Sequence, residues 1–206
     1  MYETKVKPWI ESQPASRTNW SVSTAQTYWY ETRHDSLLLL LYIVSLRVYN
    51  ILDGKKETES ILYRSPNFIL LPDLKWDQKT LASLYLIAIV QDRTLQSMRD
   101  LTKAHVPLLE SIQEAASRVA QEKYSLHSQD GFGGKLRCFI HYQPSYYHLH
   151  VHILSSDYTS HPGAIVGQAH LLQDVIDLLN MGVDFKKRTL GYALARTHEL
   201  YGVLSR

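Results

Sequence analysis

His148, His150 and His152 alternate with Leu149, Val151 and Ile153 in the run HYQPSYYHLHVHIL, residues 141–154, and His141 opens it. Successive side chains of a strand point to opposite faces, so the three histidines share one face and the three apolar residues the other. The apolar side packs, and the imidazole side faces something polar. One chemistry is metal binding, because alternating histidines reach a single tetrahedral ion and zinc is commonly held by three of them. Another is phosphoryl chemistry, in which one neutral imidazole attacks phosphorus while its neighbours donate hydrogen bonds to the oxygens. A third reading, an exposed strand face that merely carries histidine, requires no chemistry. Spacing by itself leaves all three open.

The histidines act only if neighbouring elements hold them. KLRCFIHY (135–142) alternates Leu136, Cys138 and Ile140 with Lys135, Arg137, Phe139 and His141, which predicts a strand. QPSYY turns the chain so that this strand and HLHVHIL pair antiparallel, and QDGFGG (129–134) is a flexible break before them. ESILYRSPNFILLPDL (59–74) predicts a hairpin, with Ile61–Tyr63 and Phe68–Leu71 flanking Ser65-Pro66-Asn67. WDQKTLASLYLIAIVQD (76–92) spaces Leu81, Leu84, Tyr85 and Ala88 as a helix would, with Asp77 as its N-cap. Residues 101–124 predict a second helix capped by Thr102, with Val106, Leu109, Ile112 and Ala116 on its apolar face and Pro107 in its first turns. AIVGQAHLLQDVIDLLN (164–180) reads as an amphipathic helix, RTLGYALA (188–195) as a strand and HELYGVLSR as a terminal helix. Helices mixed with an antiparallel sheet make the fold class α+β.

The 206 residues suffice for one domain, and 45% hydrophobic with 20% charged residues is the composition of a chain that folds. A net charge of +2 is too small for a broad nucleic-acid-coating surface, so any anion must be held by locally gathered cations. The single cysteine, Cys138, excludes an internal disulfide framework and any multi-cysteine zinc site. SLLLLLYIVSL (36–46) falls short of the ~20 apolar residues that span a bilayer, so no membrane anchor is expected.

From His148 to Leu154 the chain matches, without a departure, the His-φ-His-φ-His-φ-φ motif (φ apolar) of the histidine-triad superfamily. HYQPSYYHLHVH, together with LLPDLKWDQKTLASLYLIAIVQDRTLQSMRDLT (70–102) and QAHLL (168–172), resembles the C-terminal catalytic domain of the scavenger mRNA-decapping family, over about residues 1–20 and 48–206. The resemblance implies a HIT-like antiparallel sheet with packed helices, a cap dinucleotide or short capped RNA as substrate, and neither metal nor other cofactor. By it, His150 is the nucleophile and forms a covalent guanylyl-histidine, which hydrolyses to 7-methyl-GMP. His141, Ser145, Tyr146, His148, His152 and Lys75 then bind phosphate or support those that do. The cationic 7-methylguanine is to be held by Trp20, Glu57, Pro72, Asp73 and Leu74, the ring stacking on an electron-rich face and pairing with a carboxylate. A homodimer in the cytoplasm and nucleus is implied as well.

Three departures from the family stand out. The family carries a further domain ahead of the catalytic one that closes over substrate, whereas the expectation here is a single domain over 1–206 without that lid. Residues 21–47, SVSTAQTYWYETRHDSLLLLLYIVSLR, have no counterpart in the resemblance, and their unpatterned leucines and abrupt edges suggest a retained in-frame intron. Gln168 stands where some members have an arginine able to reach phosphate. The alternatives to a cap hydrolase are therefore a weakly catalytic cap-binding or regulatory subunit, a histidine-triad nucleotide hydrolase without cap preference, and a metal-binding protein.

Overall fold

The computed structural model describes residues 2–12, 49–55, 58–126, 135–144, 146–192 and 199–204. These residues belong to two compact units. The larger runs over Glu59–Pro144 and His148–Ala193, and the smaller takes in Met1–Thr58, Ser145–Tyr147 and Leu194–Arg206.

The larger unit is built on six strands: β1 (Tyr63–Arg64), β2 (Phe68–Pro72), β3 (Tyr85–Val90), β4 (Leu136–His141), β5 (His150–Ser155) and β6 (Ala169–Leu171). They form one sheet in the order β1-β2-β3-β5-β4-β6, with every neighbouring pair antiparallel. β3 and β5 lie at its centre and are buried along their whole length. Phe68, Leu70, Ala88, Val90, Val151 and Ile153 form one apolar cluster with Leu109, Ile112, Val175 and Ile176. The latter four come from two helices, α2 (Val106–Tyr124) and α3 (Leu172–Asn180). In register on the opposite face stand Ile87 with His152 and Ile89 with His150. This antiparallel sheet with packed helices is the α+β class expected.

The smaller unit holds α1 (Lys7–Ser12), entered from a π-helical turn at Tyr2–Val6, and α4 (Glu199–Leu204), which packs against that turn. Val6, Trp9, Tyr49, Ile51 and Leu200 are buried, and Trp9 meets Tyr147 edge to face at 6.3 Å.

Four local expectations are corrected. The stretch 76–92 is not a helix: a short 3₁₀ turn at Leu81–Ser83 leads into β3. Its apolar run is continuous because a central strand is covered on both faces, and over so few residues such a run matches helical spacing equally well. Asp77 caps no helix but closes the preceding turn, accepting from Lys79 N–H, Thr80 N–H and the Thr80 hydroxyl. In the stretch 164–180 the helix begins only at Leu172. Gly167, at φ +85°, sits in a separate turn in which the N–H groups of Gln168 and Ala169 donate to the Ile165 carbonyl, and Ala169–Leu171 then pair with β4. In the stretch 188–195, residues 188–192 form no strand, the Arg188 carbonyl accepting from the Arg99 guanidinium rather than from a ladder partner, and residues 193–195 lie outside the described residues. Thr102 precedes a 3₁₀ turn at Lys103–His105, and α2 starts after it at Val106.

β5 also starts later than the histidine pattern indicates, at His150 rather than His148. Leu149 is held by two backbone bonds, its N–H donating to Leu95 and its carbonyl accepting from Val90. The segment 21–47 lies outside the described residues. No helix among the described residues is long and apolar enough to cross a membrane.

Candidate active site

His150 is buried at the start of β5. Its Nδ1 lies 2.7 Å from the carbonyl oxygen of His148. A carbonyl only accepts, so Nδ1 carries the proton and a neutral ring keeps its lone pair on Nε2. Burial, opposed by that hydrogen bond and reinforced by the charges of His141, His148 and Lys75, pushes the His150 pKa down to about 3. The ring is therefore neutral, with a fixed tautomer, at any physiological pH.

His152 follows on the same face, its ring 4.8 Å from that of His150 and 4.1 Å from that of His141. Phe139, its register partner on β4, stacks on it at 5.3 Å and 22°. Its Nδ1 is 2.7 Å from the Tyr85 hydroxyl, while Nε2 is buried without a hydrogen bond. When Tyr85 donates to Nδ1, the proton of the neutral ring sits on Nε2, an unused donor inside the site. Burial first, and then the charges of His150, His141 and Lys75, hold its pKa well below the usual imidazole range.

His141 closes β4 and donates from Nε2 to the Gly163 carbonyl at 2.8 Å. Burial lowers its pKa, partly offset by that bond. The His148 ring lies outside the strand and donates from Nε2 to the Val90 carbonyl at 2.6 Å. What reaches His150 along this bond is the His148 carbonyl rather than its imidazole.

Pro72 ends β2 in register with Leu86, and the chain turns through Asp73, Leu74 and Lys75 toward β3. The turn is tied by Asp73, whose N–H donates to the Tyr85 carbonyl and whose carboxylate accepts from Lys75 N–H at 2.9 Å. Leu74 is 64% exposed and Lys75 is exposed too. The Lys75 charge depresses the pKa of His141, His150, His152 and His161, which places its ammonium group in the field of the histidine cluster.

The structure thus brings together His141, His150 and His152, with the His148 carbonyl beneath and Lys75 nearby. Trp20, Glu57 and Ser145 lie outside the described residues, and Tyr146 is buried in the smaller unit. Gln168 is tied through its backbone, its carbonyl accepting from Tyr142 N–H at 2.9 Å. Among the described residues no three or more His, Cys, Asp or Glu side chains are grouped to hold a metal ion.

Sequence reasoning missed Tyr85, hidden in an apolar run, and the turn His161-Pro162-Gly163. The signal for the latter was a further histidine only nine positions after His152, standing in a Pro-Gly turn.

Residues 47–165 match the family model described as "Scavenger mRNA decapping enzyme C-term binding". The m7GpppX diphosphatase of Sus scrofa is 43% identical over 162 residues, covering 76% of this chain and 46% of that protein. The m7GpppX diphosphatase of Schizosaccharomyces pombe is 35% identical over 210 residues, covering 100% of this chain and 59% of that protein. The chain spans about half the length of the curated relatives it matches. Among solved structures, Hnt3 in complex with DNA and guanosine aligns at a TM-score of 0.46 and 13% identity, over 73% of this chain and 88% of that one.

Proposed function

We propose that this chain, which belongs to the scavenger mRNA decapping enzyme C-terminal family, hydrolyses the triphosphate bridge of 7-methylguanosine-capped dinucleotides or short capped RNA. The observation that carries the reading is the bond from His150 Nδ1–H to the His148 carbonyl, which leaves Nε2 of a buried, neutral ring as a nucleophile. The likeness to m7GpppX diphosphatases supports the substrate class.

In this reading Nε2 of His150 attacks the phosphorus adjoining 7-methylguanosine. An N–P bond forms, the P–O bond to the next phosphate breaks, and a nucleoside or oligonucleotide diphosphate departs. The imidazole becomes cationic, and Nδ1–H donating to the His148 carbonyl disperses that charge. The Nε2–H of His152 and the ammonium group of Lys75 stabilise charge on the phosphate oxygens. Water then attacks the same phosphorus, the N–P bond breaks, 7-methyl-GMP leaves, a proton passes to solvent, and Nε2 regains its lone pair. The protein acts as a homodimer in the cytoplasm and nucleus, on remnants of mRNA decay.

The test incubates the full chain and His150→Asn with 7-methyl-GpppG and with GpppG, each with and without EDTA. Release of 7-methyl-GMP that survives EDTA and disappears in His150→Asn is the expected result. Binding of 7-methyl-GpppG without turnover would replace the hydrolase with a cap-binding role, and activity lost to EDTA would point to metal chemistry.

A further inference from the structure

His161 lies outside every motif that points to decapping, yet the fold seats it among the histidines. It is 6% exposed, and its ring meets Tyr85 edge to face at 4.9 Å and Tyr158 at 5.1 Å. Among the described residues its ring makes one hydrogen bond, Nδ1 accepting from Gly163 N–H at 3.0 Å, while its carbonyl accepts from Ala164 N–H. An N–H only donates, so Nδ1 holds a lone pair and the proton of the neutral ring sits on Nε2. His152 has the same polarity when Tyr85 donates to its Nδ1. Tyr85 thus stands between two imidazoles whose Nε2–H groups are both unspent.

Gly163 joins the circuit from the other side. Its N–H goes to His161 and its carbonyl takes the Nε2–H of His141. A Cβ at this position would stand 2.9 Å from Cε1 of His161 and 3.1 Å from Cε1 and Nε2 of His141, so only glycine lets the backbone approach both rings. Contacts therefore run from His152 through Tyr85, His161 and Gly163 to His141, and back to His152. The charges of Lys75, Asp73 and Arg137 all act on His161.

Resting on the hydrolase reading above, we infer that His161 is a further phosphate-binding group of this site, donating its Nε2–H to an oxygen of the polyphosphate, with Gly163 as the residue that positions it. A neutral donor at this place grips an anion without adding to the charge already held by Lys75.

The experiment compares the full chain with His161→Ala, His161→Gln and Gly163→Ala, using 7-methyl-GDP, 7-methylguanosine and inorganic pyrophosphate as ligands. Affinities are read by calorimetry, with thermal midpoints as a check on folding. Loss of one hydrogen bond to a charged group predicts roughly tenfold weaker binding of 7-methyl-GDP and pyrophosphate by His161→Ala, and unchanged binding of 7-methylguanosine. His161→Gln, whose amide also donates, recovers most of the loss, and Gly163→Ala reproduces it. Equal affinity of His161→Ala and the unaltered protein for pyrophosphate would overturn the inference, as would a parallel loss for nucleoside and nucleotide. If the unaltered protein binds pyrophosphate through His161 yet never cleaves 7-methyl-GpppG, the hydrolase reading fails and this one stands. If cleavage depends on His150 and is indifferent to His161→Ala, the inference alone fails.

Discussion

Lowering the pH should unfold this protein partly through one residue. His150 has a native pKa of about 3 against 6.5 for an ordinary imidazole, because its charged form is denied solvent. Between those values the unfolded chain binds a proton that the native state refuses, so stability falls as pH falls. The contribution is fully present above pH 6.5 and is lost progressively down to the native pKa. A gap of about 3.5 on the pH scale, at about 1.36 kcal/mol each, amounts to roughly 4–5 kcal/mol, a large fraction of the ~5–15 kcal/mol that holds a domain together. The perturbation is His150→Asn, whose amide can still donate to the His148 carbonyl but does not titrate. Urea unfolding at pH 7, 6, 5 and 4 should show a slope of stability against pH that is shallower in the variant by about 1.4 kcal/mol per pH unit. His141 and His152 titrate in the same direction and steepen both curves alike. Identical slopes, or an NMR titration of the His150 ring with a midpoint near 6.5, would refute the reasoning. If the reasoning holds, any acid limb of kcat/KM between pH 7 and 5 belongs to a group other than His150.

Tyr85→Phe removes the hydroxyl bonded to His152 Nδ1; the expected cost is about 1–3 kcal/mol in urea unfolding, with ¹⁵N shifts showing His152 losing its single tautomer. Arg99 is buried, donating to the Tyr142 hydroxyl and to the carbonyls of Phe185 and Arg188; Arg99→Met should cost about 3 kcal/mol and lower Tm by roughly 6–12 °C in calorimetry. Burial pushes the Cys138 thiol up to about 12; alkylation at pH 8, followed by mass spectrometry, should run at least a hundredfold more slowly in native protein than in urea.

The two strands that carry the histidines were legible because alternation has a period of two that no helix shares. KLRCFIHY became β4, and HLHVHIL became β5 from His150 onward. Tyr85–Val90 misled for the opposite reason: a central strand covered on both faces needs no alternation, so its residues show none. Gly167 and the short edge pairing at Ala169–Leu171 were hidden by the amphipathic pattern of α3 that follows. Tyr85 could not be singled out at all, since it becomes a site residue only through His152, distant in the chain, and the one sign of His161 was its place in a Pro-Gly turn shortly after the triad.

What the sequence by itself determined was the pair of imidazoles at 150 and 152 on one face of a strand, because side-chain direction follows residue parity. The tertiary structure decided which nitrogen of each ring holds the proton. That depends on whether the facing atom is a carbonyl, a hydroxyl or an amide, and those atoms arrive from Gly163, Tyr85 and the His148 backbone only once the sheet has closed around them. Burial under the same packing keeps the rings neutral, since an imidazole cut off from water holds its charge poorly whatever residues flank it in the chain.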